Sequence, residues 1–277
     1  MSHAFPDSRR PPCNRADMTR RKDEKWQPPP FKTSDRGFLL MARRMFDLQA
    51  QSIWQDLANQ LPLVRGDVLD VGCGAQPYRA LFSTLARYRG IDIAEAKAHF
   101  HYEVPDTTYY HGDIWPVESG SVDFILCTEV MEHTPDPRKL LSEAARCLRV
   151  GGNILLTAPF SARWHYIPHD YWRFSPSSYQ LLLSEAGFTD IAVYARGNAM
   201  TVSCYKTIAL VLPVFLPQGD GFVMTWLRRA LSIVLIPYLF FLAFVGQLSL
   251  LGRGGDDCLG YTVIARRAAA APLERAS

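Results

Sequence analysis

With 277 residues, 48% hydrophobic and 12% aromatic, the chain can bury the core of one α/β domain of ordinary size and still carry appendages. A formal net charge of +3 is too small to argue for a nucleic-acid binder, and the six cysteines (13, 73, 127, 147, 204 and 258) form no CxxC pair. That usage excludes a disulfide framework and points to free thiols in a reducing compartment. Residues 1–35 are rich in Arg, Lys, Asp and Pro and end near Pro28-Pro29-Pro30, the composition of a disordered basic tail. No apolar h-region follows the N-terminal charges, so a cytoplasmic chain is expected. From Phe38 to Leu61, apolar residues such as Leu39, Met45, Phe46, Ile53 and Leu57 recur every three or four positions. This spacing predicts an amphipathic helix beside a sheet, with a lid over a ligand as the alternative role.

Val68 to Val71 is β-rich and runs straight into Gly72-Cys73-Gly74, after which Tyr78, Leu81, Phe82 and Leu85 carry a helical pattern. Strand, glycine turn and helix form the first unit of a doubly wound sheet, where ligands bind at the strand ends. Pro77 stands where a dinucleotide fingerprint would place its third glycine, which argues against a pyrophosphate and so against a nicotinamide cofactor. The next strand, Tyr88 to Ile93, carries Asp92 at its end, where an acid can accept from ribose hydroxyls or cap a helix. Further strands are predicted at Thr107 to Tyr110, Ser121 to Cys127, Asn153 to Ala158, Phe188 to Ala195 and Leu259 to Arg266. Helices are predicted from Asp136-Pro137 to Gly151-Gly152 and from Ser175-Pro176 to Gly187.

The set VLDVGCG, GIDI, HGDI, SVDFILCTEVMEH and LRVGGNILLTAP resembles a class I S-adenosylmethionine-dependent methyltransferase. More narrowly, it is similar to a bacterial branch with EH after strand 4 and a PHDYWRFSP-like segment after strand 5. The resemblance implies a Rossmann-like seven-stranded α/β sheet with an antiparallel last strand and helices on both faces. S-adenosyl-L-methionine is the implied cofactor. Asp70, Gly72 and Gly74 would line its methionine part, and Asp92 would hold the ribose hydroxyls. Asp113 would accept from the adenine amino group, Ile114 would pack on the ring, and Glu129 would sit near the methionine moiety. Methyltransferases acting on nucleobase amines carry Asn or Asp followed by Pro-Pro and an aromatic after strand 4. CTEVMEH does not match, so no nucleic-acid partner is expected.

A hydroxyl or carboxyl acceptor is therefore expected, on a small molecule, a glycan or a lipid-linked compound, and a hydroxyl needs its proton removed. His133 and His169 are the candidate catalytic bases. The segment Trp164 to Pro176 is too polar and aromatic for a strand and suits a loop over an active site. A zinc site from His165, His169 and Asp170 is set aside, since no other ligand cluster with metal spacing is present. Thr207 to Gly219 and Ala230 to Leu251 are uncharged apolar runs, and the second is flanked by Arg228, Arg229 and Arg253. A last strand returning to the same sheet argues against a single bilayer span. A helical pair lying at the inner face of a membrane is expected, with an extra helical layer or an oligomer interface as the alternative. The organisation read this way is a tail (1–35), a core (36–200), an apolar helical insertion (201–255) and a last strand with its tail (256–277). A membrane-associated scaffold that keeps the fold is the competing function, but it would have no need of Asp70, Gly72, Gly74, Asp92 and Asp113.

Overall fold

The computed structural model describes residues 38–95, 104, 106–166, 168–215, 221–252, 254 and 256–269, so the predicted tail at 1–35 lies outside the described residues. Strands β1 (Gly66–Val71), β2 (Ala86–Ile93), β3 (Thr107–Tyr110), β4 (Val122–Thr128), β5 (Leu148–Pro159), β6 (Phe188–Arg196) and β7 (Gly260–Arg267) form a seven-stranded sheet of order β3-β2-β1-β4-β5-β7-β6. β1 is parallel to β2 and β4, and β7 inserts antiparallel between β5 and β6, as the resemblance implied. The inner stretches of the middle strands β4 and β5 are apolar on both faces, because helices or loops cover both faces of a parallel sheet. Val122, Ile125, Leu126 and Cys127 of β4 and Ile154, Leu155 and Leu156 of β5 are all buried.

The helices are α1 (Phe38–Phe46), α2 (Leu48–Gln60), α3 (Pro137–Cys147), α4 (Pro176–Glu185), α5 (Ala199–Val211) and α6 (Phe222–Ser249). Three elements depart from the expectation. Phe38 to Leu61 is two helices, because the Asp47 side chain accepts from the Ala50 amide and caps a new start. The helix predicted after the glycine turn shrinks to a single 3-10 turn, Arg79–Leu81. Gln76 sits in the left-handed region at φ 54°, which keeps the chain out of a right-handed helix ahead of Pro77. Gly151-Gly152 does not stop α3; the helix ends at Cys147, and the glycines lie inside β5 at an irregularity in its pairing with β4.

α5 and α6 hold the insertion before β7. α5 begins with Asn198, whose side chain accepts from the Met200 and Thr201 amides in a reciprocal cap, and whose Nδ2 donates to the Ser249 and Gly252 carbonyls at the far end of α6. The pair has an apolar core of its own, formed by Leu48, Val202, Ile208, Leu239, Leu242 and Ala243. At Gly246 a Cβ would come within 2.5 Å of Leu48 Cδ1, so glycine permits the close approach of α6 to α2. α6 is long and apolar enough to cross a bilayer by length and composition, and most of it faces outward: Phe222, Ile233 and Val234 are 80%, 71% and 70% exposed.

Candidate active site

A cavity of about 1000 Å³ opens at the carboxyl ends of the strands. Its floor is Val71 and Gly72 after β1, Asp92 and Ile93 of β2, Tyr110 of β3, Glu129 and Val130 after β4, and Pro159 of β5. The α1–α2 junction borders it through Phe46, Asp47 and Gln49, so the segment read as a helix or lid does flank the site. Its other walls are the loop after β5 (Arg163, His165, Tyr166, His169), one face of α5 (Tyr205, Ile208, Ala209) and Leu212 just past that helix.

The acids named from sequence separate into three situations. Asp92 is buried at the cavity edge, and its carboxylate accepts from the Gly74 amide at 3.0 Å and its neighbour Ile93 at 2.8 Å. Burial raises its pKa, and those two amides oppose the shift. Asp70 lies beneath the glycine turn, outside the cavity wall. Its Oδ2 accepts from the Tyr88 hydroxyl at 2.7 Å, and its buried Oδ1 has no partner among the described residues. Burial pushes its pKa up to about 7. Asp113 is on the wall but exposed, in a 2.8 Å ion pair with Lys139. Gly74 and Ile114 are not on the wall, and Ile114 is 76% exposed; Ile93, Tyr110, Trp115 and Leu140 supply the apolar wall instead.

Glu129 is held in a strained backbone at φ 53°, just past β4. Its Oε1 accepts from Arg196 Nη2 at 2.9 Å and its Oε2 from Gln49 at 3.4 Å. Arg196 ends β6 fully buried and also donates to the Ala158 carbonyl and Ser52 hydroxyl at 3.1 and 3.2 Å. Nothing in the sequence had singled out Arg196. Its one signal was a cation closing an apolar strand beside Gly197.

On the loop side, the Glu132 carbonyl accepts from the amides of Tyr171 and Trp172, which ties the aromatic loop to the 3-10 turn Met131–His133. Ring contacts of His133 with His165 (centroids 4.8 Å apart) and Tyr166 (5.1 Å) bring the histidines together. Burial, with His165 beside it, lowers the His133 pKa to about 4, so His133 is neutral near pH 7 and a weak proton acceptor. Glu132 is completely buried, and that burial, reinforced by Glu129, pushes its carboxyl well above the ordinary value. His169 is exposed on the wall with Nδ1 3.2 Å from the Tyr171 hydroxyl.

A family model for a methyltransferase domain matches residues 41–193. The chain belongs to this methyltransferase-domain family. A probable S-adenosylmethionine-dependent methyltransferase of Mycolicibacterium smegmatis is 36% identical to it over 97 residues, 34% of this chain and 38% of that protein. The ubiquinone biosynthesis O-methyltransferase of Xanthomonas oryzae pv. oryzae is 31% identical over 111 residues, 35% of this chain and 45% of that protein. The chain thus spans less than half the length of these relatives. A solved SAM-dependent methyltransferase of Thermotoga maritima superposes with a TM-score of 0.50 at 14% identity, covering 83% of this chain and 96% of that one, a likeness that shows the shared fold.

The residues of this methyltransferase fit its cofactor, S-adenosylmethionine. Gly72 has φ 63°, and a Cβ there would lie 2.4 Å from Val130 Cγ2, so the turn stays low beneath the cavity. The acids on or just under the floor (Asp70, Asp92, Glu129) only accept hydrogen bonds when ionised, which matches a ligand carrying ribose hydroxyls and an ammonium group. When bound, the cofactor supplies an electrophilic methyl group, and the enzyme has chiefly to hold the acceptor in line with it, which can contribute roughly 7–11 kcal/mol.

Proposed function

We propose that this methyltransferase O-methylates a hydroxyl on an apolar, lipid-linked acceptor while held at the inner surface of a membrane. One observation carries the reading: the cavity that begins at Asp92 continues to Tyr205, Ile208 and Ala209 of α5 and Leu212 just past it, and α5 packs on the outward-facing apolar helix α6. A polar cofactor end and an apolar acceptor end suit an amphipathic substrate. The relatives named as ubiquinone biosynthesis O-methyltransferases support an oxygen acceptor. Arg228 and Arg229 lie within the outer half of α6, where basic groups would add an attraction to anionic lipid that salt weakens; Arg253 lies outside the described residues.

Asp70, Gly72, Gly74, Asp92, Asp113 and Glu129 remain the cofactor side of the proposal, with Ile93 and Trp115 taking the packing role expected of Ile114. Of the two histidines expected to act as bases, His169 keeps the role of receiving the acceptor's proton. Neutral, half-buried His133 does not suit it. The test incubates the full chain with methyl-labelled S-adenosylmethionine and anionic vesicles made from a bacterial lipid extract. Alkali-stable label in the lipid phase is expected, as for a methyl ether, together with flotation of the protein at low salt. Label confined to nitrogen or to water-soluble acceptors would overturn the reading.

A further inference from the structure

The metal trio conceivable from sequence does not assemble: Asp170 is held by both Arg173 guanidinium nitrogens at 2.6 and 2.8 Å. A different trio does. Glu132, His133 and His165 each bring a ligand atom within 4.8 Å of the other two. The Glu132 side chain is 0% exposed, and neither of its carboxylate oxygens has a hydrogen-bond partner among the described residues. A buried acceptor left unsatisfied costs roughly 1–3 kcal/mol, more when charged. Such a group calls for a missing partner. Its near neighbour is His133 Nε2, 3.5 Å from Oε1.

Both imidazoles are oriented from behind. His133 Nδ1 lies 2.7 Å from the His169 carbonyl, which can only accept, so the ring donates there and keeps its Nε2 lone pair toward Glu132. His165 Nδ1 lies 3.0 Å from the Arg163 carbonyl and 3.2 Å from Asp170 Oδ2, so it too donates from Nδ1 and leaves Nε2 as an acceptor. Histidines that ligate metals are fixed in this manner, the second nitrogen donating to a carbonyl or carboxylate.

We propose that Glu132, His133 and His165 form a binding site for a divalent transition cation at the acceptor end of the cavity. Two imidazoles and one carboxylate suit zinc, manganese or cobalt better than an all-oxygen cation such as calcium. Bonds of about 2.0–2.1 Å place tetrahedral ligand atoms roughly 3.4 Å apart, so closure needs a shift of about an ångström, which the loop residue His165 can supply. His133 and His165 are on the cavity wall, so the remaining coordination positions face the acceptor. The role rests on the O-methylation reading: the cation polarises the acceptor hydroxyl. Its proton leaves to His169 or water, and an O–CH3 bond forms as the S–CH3 bond breaks. The sulfonium becomes a neutral thioether, and no oxidant or reductant takes part.

The test titrates the full chain, stripped with chelator, with Zn2+ by calorimetry and with Co2+ by visible absorption. One equivalent should bind, and Glu132→Gln and His165→Asn should each weaken it by about 10–100-fold. His111→Asn, changing an exposed histidine paired with Glu95, should leave it unchanged. Affinity for S-adenosylhomocysteine reports folding, and if Glu132→Gln fails that check, His165→Asn decides alone, since it changes only a partly exposed loop side chain. Failure of the wild type to bind either cation in tenfold excess, or wild-type affinity in the folded variants, overturns the site. Cation binding needs no acceptor, so its failure leaves the O-methylation reading standing. Label transferred to nitrogen by a cation-loaded enzyme would overturn that reading and leave the site.

Discussion

At the carboxyl ends of the strands the protein buries Asp70, Asp92, Glu132 and Arg196; on α6 it exposes Phe222, Leu227, Ile233, Val234, Phe241 and Phe244. Both arrangements cost free energy, the first through desolvation of charge and the second through wetted apolar surface. The strand ends answer part of the cost internally, with Arg196 bonded to Glu129, Ala158 and Ser52. α6 leaves its outward apolar side chains exposed among the described residues. Buried polarity marks where a ligand is held, and exposed apolarity marks where something outside the chain is met. α5 joins the two, with one face on the cavity and another against α6.

Breaking the polar half should have the largest effect. Arg196→Ala strands the Glu129 carboxylate and removes a fully buried guanidinium, so the unfolding free energy should fall by about 3–5 kcal/mol, read as a lower urea midpoint. A loss under about 1 kcal/mol would mean that Glu129 finds another partner and that the strand ends are not interlocked. The next effect is graded with pH. Asp70 has a folded pKa of about 7 against the ordinary aspartate value of 3.8. The folded state therefore holds this proton more tightly, and the contribution to stability is complete below 3.8 and lost as pH rises through 7. Between those values the wild type should lose up to about 1.4 kcal/mol per pH unit relative to Asp70→Asn. Parallel stability curves for the two proteins would count against that burial. The apolar half should show the smallest stability change. Ile233→Ser, Val234→Ser and Phe241→Ser, at positions 71%, 70% and 60% exposed, should each alter stability by less than about 0.5 kcal/mol, while their combination abolishes vesicle flotation. Marked unfolding of the triple variant would instead assign this face to a protein interface.

How much of this was legible in the sequence differs between the two halves. The strands could be read because β1, β4 and β5 are short apolar runs ending in glycine, acid or proline, and Asp92 followed from its place at the end of such a run. Asp47 and Gln76-Pro77 were equally visible, but the apolar period around them masked a cap in one case and a blocked helix in the other. Ile114 was assigned to a ring by its place beside Asp113, yet its side chain turns to solvent. The trio of Glu132, His133 and His165 was out of reach, because backbone bonds from the loop amides of Tyr171 and Trp172 to the Glu132 carbonyl bring distant residues together. The share of α5 in the cavity was equally hidden, since an uncharged run carries no chemical signature.

The antiparallel strand β7 has a consequence for the order of assembly. β5 and β6 reach each other only through β7, so the sheet stays split until the chain has been made past Arg267. α6 precedes β7 in the chain, so its apolar side chains emerge from the ribosome ahead of the strand that closes the fold. Contacts between segments this far apart in sequence form slowly, because long loops must close first. For this chain the vulnerable interval in biosynthesis is the one between Phe222 and Gly260, when a long apolar helix is present and the strand that completes the domain is not.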